Sequence, residues 1–366
     1  MTSNEALPPR FGVWAPVYGT WGSRQHPDDP VDAGYQRTRD LIRRAEQVGF
    51  ESVLLAEHIV NPQSDDYDVL ETWTAAAAIA EATERIEIIA AVKPLLFHPA
   101  VLAKLAVGID RISGGRFAVN LVSAWFKPEM GQLGIPMPDH DARYELSTEW
   151  LRVVRRLWGG EAVHHHGERF RIDGLQLRPA PVNPGGPTVY FGGESEPARE
   201  LAASDADVFF INGRPLDETA ALIDDLRRRP RTLAPLRFGL AAFVIARETE
   251  QEAQDEFARL LDLSARDDKQ RLINGTDKAV AMMKVGAGVP RVGTNGGTLA
   301  GLVGDYDQVA ERITAFSAAG IELFMLQFQP LEAELERFAA EVLPRVRALN
   351  PQGTAERRAD RQEIHR

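Results

Sequence analysis

The sequence of 366 residues contains no cysteine. This absence excludes disulfide bonds, catalysis by a thiolate, and metal ions or clusters that are held by cysteine. Long apolar runs are also missing, because no stretch approaches the ~18 consecutive apolar residues of a membrane-spanning helix. The first residues are polar, include the acidic Glu5 and lack the apolar core of a secretory signal. We therefore expect a cytoplasmic protein that has no membrane partner.

Basic residues are fewer than acidic residues in this sequence. The chain has 42 lysine and arginine residues against 53 aspartate and glutamate residues, which gives a net charge of −11. Binding of nucleic acid ordinarily requires a basic face, so this composition disfavours a nucleic-acid partner. Small anionic ligands remain compatible with the charge, because the free N–H groups at a helix N-terminus act on an anion at contact range.

What the sequence does contain is an alternation of short apolar runs and helical patterns. Eight runs are typical of strands that are buried on both faces, and they cover residues 11–15, 52–56, 86–92, 117–122, 188–191, 208–211, 238–246 and 323–327. Helical periodicity covers residues 35–48, 70–82, 100–112, 144–158, 198–203, 219–228, 251–263, 308–319 and 332–348. Parallel β–α–β units in this number predict a (β/α)8 TIM barrel. A doubly wound open sheet is the alternative.

We expect one barrel domain over residues 1–350, since barrels with insertions reach this length. Three stretches are predicted to be insertions at the C-terminal face of the barrel, near residues 123–141, 159–187 and 265–301. The second should form a hairpin, because alternating residues flank a glycine turn between positions 164 and 172. The charged segment 351–366 is predicted to be a flexible tail.

The fifth predicted strand runs directly into Gly192, Gly193, Glu194 and Ser195, and a helix follows. Glycines allow backbone N–H groups to approach an anion, and the next helix directs its free N–H groups at the same point. The turn therefore predicts a phosphate site at the C-terminal face. A plain glycine turn with Ser195 as the helix cap is the structural alternative.

Polar residues also end the second and fourth predicted strands. Asn120 and Ser123 lie where barrel enzymes hold their catalytic groups, and an asparagine suits the polar edge of a flavin. A polar contact inside the barrel is the alternative for Asn120. His58, at the end of the second strand, is suited to acid–base chemistry or lines the barrel mouth. The run 164–166 consists of three histidines, but neighbouring side chains on a strand point to opposite faces, so we expect no metal site there.

Aromatic residues cluster where the mouth of the barrel should lie. Several of them at strand ends would suit a flat ring system and a small apolar substrate. They are Trp14, Tyr18, Trp21, Trp73, Phe97, Trp125, Phe126, Phe243 and Phe328.

Taken together, the motifs resemble those of the flavin-dependent monooxygenases of the bacterial-luciferase-like superfamily, in particular the dimethyl sulfone and alkanesulfonate monooxygenases. The likeness runs from Phe11 to Val346, and its motifs are DRISGGR (110–116), NLVS (120–123), DHDARY (139–144), YFGGES (190–195) and LVGD (302–305). The pyrimidine-ring-opening oxygenases are near neighbours, since they share the Asn-Leu-Val segment followed by Trp125, Lys127, Pro128 and Glu129.

This resemblance implies that the cofactor is reduced FMN, supplied by a separate NAD(P)H-dependent FMN reductase, and that O2 is the cosubstrate. Oxygen would add to the reduced flavin to give a peroxyflavin, which would oxidise a small sulfone or sulfonate and lead to C–S cleavage. It also implies a homodimer or homotetramer. The implied flavin-binding residues are Asn120, Ser123, Tyr144, Gly192, Gly193, Glu194 and Ser195. The candidate catalytic residues are Asn120, Trp125, His58 and Arg291, and the candidate substrate pocket consists of Trp14, Lys93, Phe243 and Phe328.

The chain departs from the sulfonate branch at the residues that would bind an anionic head group. Ala241 and Phe243 stand where the alkanesulfonate enzymes have arginine and histidine, and Phe328 and Pro330 replace a tyrosine and a histidine. A neutral sulfone therefore fits better, although the sulfone branch tends to keep the histidine at the position of Pro330. Three alternatives stay open: an oxygenase that cleaves a C–N or other heteroatom bond, a deazaflavin-dependent oxidoreductase, and a flavin-binding protein without catalysis.

Overall fold

A computed structural model of the protein describes residues 9–279, 286 and 288–350. The strands are β1 Arg10–Trp14, β2 Ser52–Leu55, β3 Glu87–Val92, β4 Phe117–Leu121, β5 Val163–His166, β6 Arg171–Leu175, β7 Thr188–Phe191, β8 Val208–Ile211, β9 Arg237–Phe243, β10 Ile245–Arg247, β11 Val303–Asp305 and β12 Ile321–Gln327. The helices are α1 Tyr35–Val48, α2 Thr72–Ala82, α3 Pro99–Ile112, α4 Lys127–Gln132, α5 His140–Trp158, α6 Glu196–Asp205, α7 Leu216–Arg228, α8 Glu250–Ala265, α9 Gln270–Gly275, α10 Tyr306–Ala319, α11 Leu331–Arg337 and α12 Leu343–Leu349. The predicted tail 351–366 lies outside the described residues.

Eight parallel strands close into a barrel in the order β1-β12-β9-β8-β7-β4-β3-β2. All eight correspond to the predicted apolar runs, and the pairing of β1 with both β2 and β12 closes the sheet. The (β/α)8 prediction is therefore confirmed, and the open-sheet alternative is wrong. Parallel strands need helical crossovers, which cover the outside and bury both faces of the strands. No helix of the described residues is long and apolar enough to cross a membrane.

The seventh predicted strand, 238–246, is split in two. The backbone up to Phe243 pairs with β12 inside the barrel. The N–H of Val244 donates the last hydrogen bond to β12, at the carbonyl of Gln327. The N–H of Ile245 then donates to the carbonyl of Leu302, which lies outside the barrel. The following residues form β10, which pairs with β11. One continuous apolar run thus serves two sheets, and periodicity alone does not reveal such a change of partner.

The insertion 159–187 contains β5 and β6, which pair antiparallel as a hairpin. Its histidines face different partners, as strand alternation requires: His165 contacts Glu149 at 2.9 Å and His166 contacts Asp173 at 2.6 Å. Among the residues that the structure describes, no group of three His, Asp or Glu side chains is arranged to hold a metal ion.

The predicted helix 332–348 is interrupted by a π-helical turn at Phe338–Val342, between α11 and α12. Pro344 lies just beyond this turn. A proline has no N–H to donate and its ring crowds the preceding turn, so local widening of the helix is the expected response.

Residues 291–301 form a cap over the end of the barrel. The side chain of Gln327, at the end of β12, accepts the N–H of Thr294 and donates to its hydroxyl, both at 3.0 Å. The backbone of Gly213 donates to Asn295 at 2.8 Å. Beneath this cap lies a small apolar cluster that is separate from the main core and consists of Phe243, Ile245, Ala253, Leu260, Leu263, Val292 and Val303.

We expect Gly296→Ala to detach this cap. Gly296 has a φ of +85°, and an added Cβ would overlap the backbone of Gly213. The strained dihedral and the overlap should together cost about 1–3 kcal/mol. Limited proteolysis would measure the effect as faster cleavage near residue 296. Gly301→Ala is the matched control, because Gly301 has a φ of +72° and open space around it. Equal cleavage rates in both variants would contradict this prediction.

Candidate active site

The glycine turn after β7 forms a cradle at the C-terminal face. Ser195 is the N-cap residue of α6, but its side chain makes no capping hydrogen bond. Its Oγ is buried and has no hydrogen-bond partner of ordinary geometry. A buried hydroxyl without a partner costs stability. The side chain therefore does not cap the helix through a hydrogen bond, and ligand binding by Ser195 stays a prediction.

Gly193 and Tyr144 line the same cradle. A Cβ on Gly193 would lie 2.9 Å from Cβ of Ala198 and 3.3 Å from the hydroxyl of Tyr144. Burial raises the pKa of Tyr144, whereas the nearby Ser195 hydroxyl and the charge of Arg143 act in the opposite direction with smaller effect. The structure thus brings together Gly193, Ser195 and Tyr144, three of the residues that the sequence assigns to phosphate binding.

Glu194 would repel a phosphate if its charge were free. Its carboxylate forms an ion pair with Arg214 and accepts a hydrogen bond from Asn212 Nδ2 at 2.9 Å. The negative charge is therefore balanced within the protein. Sequence reasoning missed Arg214, although a cation soon after the end of a predicted strand, 208–211, was an available signal.

Asn120 is the second-to-last residue of β4 and Ser123 follows shortly after the strand, at the C-terminal end where the sequence predicts them. Asn120 lies opposite Tyr190 of β7 in the barrel register. Asn120 Oδ1 is buried and has no hydrogen-bond partner among the described residues, so the alternative of a polar contact inside the barrel is not found for this atom. Ser123 Oγ lies 2.9 Å from Ser147 Oγ of α5. Ala124, which follows, has a φ of +61°, a strained conformation that functional sites often contain.

A buried ionic cluster, Glu57, His58, Lys93 and Glu129, lies at the ends of β2 and β3. Glu129, on α4, has no exposed surface. One of its oxygens accepts from Lys93 Nζ at 2.7 Å, and the other contacts His58 Nδ1 at 3.1 Å. The backbone N–H of Lys93 donates to Glu57 Oε2 at 2.8 Å. Sequence analysis named His58 and Lys93 as site residues but used Glu129 only as part of a motif.

The four groups of this cluster have displaced pKa values. Burial raises the pKa of Glu57 to about 8, against the lowering effect of Lys93. Burial, together with the charge of Lys93, lowers the pKa of His58 to about 4. Burial alone would raise the pKa of Glu129, but its contacts with His58 and Lys93 prevail and bring it to about 2. Burial also lowers the pKa of Lys93, against the raising effect of the carboxylates of Glu129 and Glu57. Near pH 7 these shifts favour an ionised Glu129, a neutral His58 and a protonated Glu57.

An aromatic chain lines the mouth beside the ionic cluster. Trp14 and Tyr18 contact Trp21 with ring centroids 4.9 Å and 5.1 Å apart. The imidazole of His58 lies 5.8 Å from the ring of Tyr18 and 5.3 Å from that of Trp125. The structure thus groups Trp14, His58 and Trp125 as the sequence suggests.

The remaining predicted residues lie elsewhere. Phe243 is fully buried in the cluster under the cap. Phe328 packs between Phe50 and Phe338 in the main core. Arg291 is half-buried in the cap loop, where its charge helps to lower the pKa of Lys269 after the larger effect of burial. A substrate contact for Phe243 or Phe328 stays a prediction that this packing does not favour.

A second ionic group joins α5 to the insertion 265–301. Arg143 donates to Asp277 at 2.6 Å, and Lys127 lies 3.2 Å from the other carboxylate oxygen of Asp277. Asp277 also donates its N–H to the carbonyl of Trp125. These groups border a cavity of about 540 Å³ that includes His140, next to Tyr144. The loop after β4 and the insertion are therefore held together beside the cradle.

Comparison with known proteins agrees with the predicted resemblance. The luciferase-like monooxygenase family matches residues 10–323. The FMNH(2)-dependent dimethylsulfone monooxygenase of Pseudomonas putida is 34% identical over 364 residues, which cover 95% of this chain and 98% of the relative. The protein of the same name from Pseudomonas fluorescens (strain Pf0-1) is 31% identical over 359 residues, with 96% and 98% covered.

Among solved structures, DmoA from Hyphomicrobium sulfonivorans aligns with a TM-score of 0.78 at 17% identity. The alignment covers 93% of this chain and 88% of that one, and at this identity it is a likeness of fold. The family match and the two Pseudomonas relatives span nearly the whole chain. The chain therefore belongs to the luciferase-like monooxygenase family.

Proposed function

We propose that this protein is a monooxygenase that uses reduced FMN and O2 to oxidise a small organosulfur compound, with a neutral sulfone as the expected substrate. The observation that carries the flavin assignment is the buried Ser195 hydroxyl, which lies in the cradle at the N-terminus of α6 beside Tyr144 and makes no capping hydrogen bond. Two relatives above 30% identity bear the name FMNH(2)-dependent dimethylsulfone monooxygenase. A separate NAD(P)H-dependent reductase would supply the reduced flavin, and a homodimer or homotetramer is the expected assembly.

The residues present fit FMN. Ser195, Tyr144 and the backbone N–H of Gly193 would hold its phosphate, because their hydroxyl and N–H donors converge at a helix N-terminus. Asn120 Oδ1, which has no hydrogen-bond partner in the part of the chain that the structure describes, would accept a hydrogen bond from the flavin ring. When it is bound and reduced, FMN supplies the electrons that activate O2.

The protein's own contribution would be an apolar surface with little net charge beside the bound flavin. Trp14, Tyr18, Trp21 and Trp125 provide apolar surface around His58. Lys93 is neutralised by Glu129 and Arg214 by Glu194. An anionic sulfonate would have to compete with these carboxylates for its donors, whereas a neutral sulfone would not. Oxidation at the carbon next to sulfur followed by C–S cleavage is the reaction that the family resemblance implies.

The first experiment is an anaerobic titration of the protein with reduced and with oxidised FMN. We expect clearly tighter binding of the reduced form. Turnover should then require a flavin reductase, NAD(P)H and O2 together, with dimethyl sulfone consumed faster than alkanesulfonates or uracil. Equal affinity for both redox forms would contradict the two-component assignment. Preference for uracil would favour the C–N-cleaving alternative, and binding of deazaflavin in place of FMN would favour the reductase branch.

We expect Ser195→Ala to weaken binding of reduced FMN by roughly 10- to 150-fold. A hydrogen bond to a charged group contributes about 1.5–3 kcal/mol, and the serine hydroxyl would donate to a phosphate dianion. The dissociation constant would be measured by anaerobic fluorescence titration. Ser204→Ala is the matched control, because Ser204 lies near the other end of α6 and its hydroxyl bonds to the carbonyl of Glu200. An unchanged affinity in Ser195→Ala would mean that the phosphate binds at other residues.

A further inference from the structure

Two acidic residues flank Ser195 in the turn after β7, and each is paired with an arginine. Glu194 forms an ion pair with Arg214, and the two side chains are only 7% and 10% exposed. Glu196 lies at the outer surface, where its two oxygens accept from Arg229 at 2.7 Å and 2.9 Å. Because water and salt screen an exposed pair, the inner pair has the larger effect on the electric field in the cradle.

The inner pair joins the loops that follow two neighbouring barrel strands. β7 leads into the glycine turn with Glu194, and β8, its neighbour in the sheet, leads into Asn212 and Arg214. Asn212 Nδ2 donates to Glu194 Oε1 at 2.9 Å, and Arg214 Nε donates to the carbonyl oxygen of Asn212 at 3.2 Å. Arg214 Nη2 contacts the same carboxylate oxygen. The guanidinium group is thus held at the C-terminal face, against the residue that precedes Ser195.

Glu194 is the group that neutralises Arg214. Within the part of the chain that the structure describes, Arg214 has no second carboxylate partner and its Nη1 makes no hydrogen bond. A guanidinium group matches the geometry of a phosphate, so an Arg214 that was free of Glu194 would be a strong phosphate donor. The turn therefore keeps such a donor next to the cradle, but occupied by a carboxylate.

We propose that Glu194 restrains Arg214, so that the cradle holds the phosphate of FMN through uncharged donors and the flavin exchanges after each turnover. This inference rests on the proposed function, in which FMN arrives reduced from another enzyme and leaves oxidised. Affinity differences between related complexes arise mostly in the dissociation rate, so a cation on the phosphate would slow the exchange. Glu194 is thus a positioning residue, which sets the residence time of the flavin by holding Arg214.

Binding of FMN, compared with riboflavin, which lacks the phosphate, tests the restraint in the full-length chain. In Glu194→Gln the amide still accepts from Asn212 but no longer neutralises Arg214. FMN should then bind at least about tenfold more tightly, the effect of one charge-assisted hydrogen bond. In Arg214→Met the carboxylate of Glu194 stays unpaired, and its repulsion should weaken FMN binding at least about tenfold.

The double variant Glu194→Gln/Arg214→Met removes both charges and should bind FMN within about threefold of wild type. Riboflavin should bind all three variants within about threefold of wild type, because it carries no charge on which the pair can act. The dissociation rate of oxidised FMN, measured by stopped-flow displacement, should fall in Glu194→Gln by the same factor as the dissociation constant. Glu196→Gln, at the exposed pair, is the matched control and should tighten FMN binding less than about threefold.

The opposite signs of the single variants separate this role from a purely structural one. If the pair only joined the two loops, both single variants would bind FMN more weakly. That result, an unchanged FMN affinity in Glu194→Gln, or an equal gain in Glu196→Gln would overturn the proposal. Glu194→Gln is nearly isosteric, so it decides the sign even if unfolding curves show that Arg214→Met is unstable.

The same measurements keep the restraint apart from the proposed function. A wild-type protein that binds FMN no more tightly than riboflavin would refute the phosphate site, and the flavin assignment and the restraint would both fail. A wild-type protein that prefers FMN, together with a Glu194→Gln variant that does not bind FMN more tightly, would refute the restraint alone.

Discussion

Replacing Glu129 with alanine is expected to lower the free energy of unfolding by about 3–5 kcal/mol. The side chain is fully buried and bonds to Lys93, His58 and the backbone of Ile59. Removal of the carboxylate leaves the Lys93 ammonium buried without a counter-charge, and the cost of that unpaired charge is the largest part of the effect. Urea or guanidinium unfolding curves of wild type and variant would measure the loss.

Two further variants separate this explanation from a simple loss of packing. The double variant Lys93→Met/Glu129→Leu replaces the ion pair with apolar groups and should recover most of the stability, because it leaves no buried charge. Glu145→Ala removes one partner of the exposed Glu145–Arg169 pair and should cost less than about 1 kcal/mol. If the double variant were as unstable as Glu129→Ala, the explanation by an unpaired buried charge would be wrong, and the fold would require the ion pair itself.

The barrel could be predicted from the sequence because its signal is local and repeated. Each barrel strand is a short apolar run with a helix to follow, and the eight runs correspond to the eight strands of the closed sheet. The prediction was less accurate where a run changes its partner. The split at Val244 depends on the carbonyls of Gln327 and Leu302, which lie far away in sequence. No pattern within residues 238–246 encodes that change.

The site was predictable in part, because some of its residues are marked by their position just at or after a predicted strand. Ser195 and Asn120 occupy strand ends, and position in a barrel is enough to nominate them. Glu129 and Arg214 matter through partners that are distant in sequence, Lys93 and Glu194, so only the folded chain reveals their pairing. Phe328 was nominated as an aromatic residue at a strand end, but its ring packs against Phe338 in the core. The direction of a side chain just past a strand end is set by packing, which sequence position does not specify.

Glu57 should make the stability of the protein fall as the pH rises from about 4.5 to about 8. Burial raises the pKa of Glu57 from 4.5 to about 8, so over this range the folded state keeps a proton that the unfolded state releases. The free energy of unfolding therefore decreases with pH, up to a total of a few kcal/mol at about 1.4 kcal/mol per pKa unit. Below about 4.5 both states hold the proton, and above about 8 neither does, so the contribution is constant outside the window.

Glu57→Gln tests this directly, because the amide imitates a protonated carboxyl group and can still accept the N–H of Lys93. Denaturant unfolding at a series of pH values should show a flatter profile in the variant, which gains stability relative to wild type towards pH 8.

Glu46→Gln is a control whose effect on the pH profile should have the opposite sign. Burial alone would raise the pKa of Glu46, but hydrogen bonds from the backbone N–H groups of Arg85 and Ile86 prevail and hold that pKa below its ordinary value. The stabilising effect of Glu46 is therefore lost as the pH falls, not as it rises. A Glu57→Gln profile parallel to that of wild type would mean that the buried carboxyl is already ionised in the folded protein, with Lys93 shared between Glu57 and Glu129.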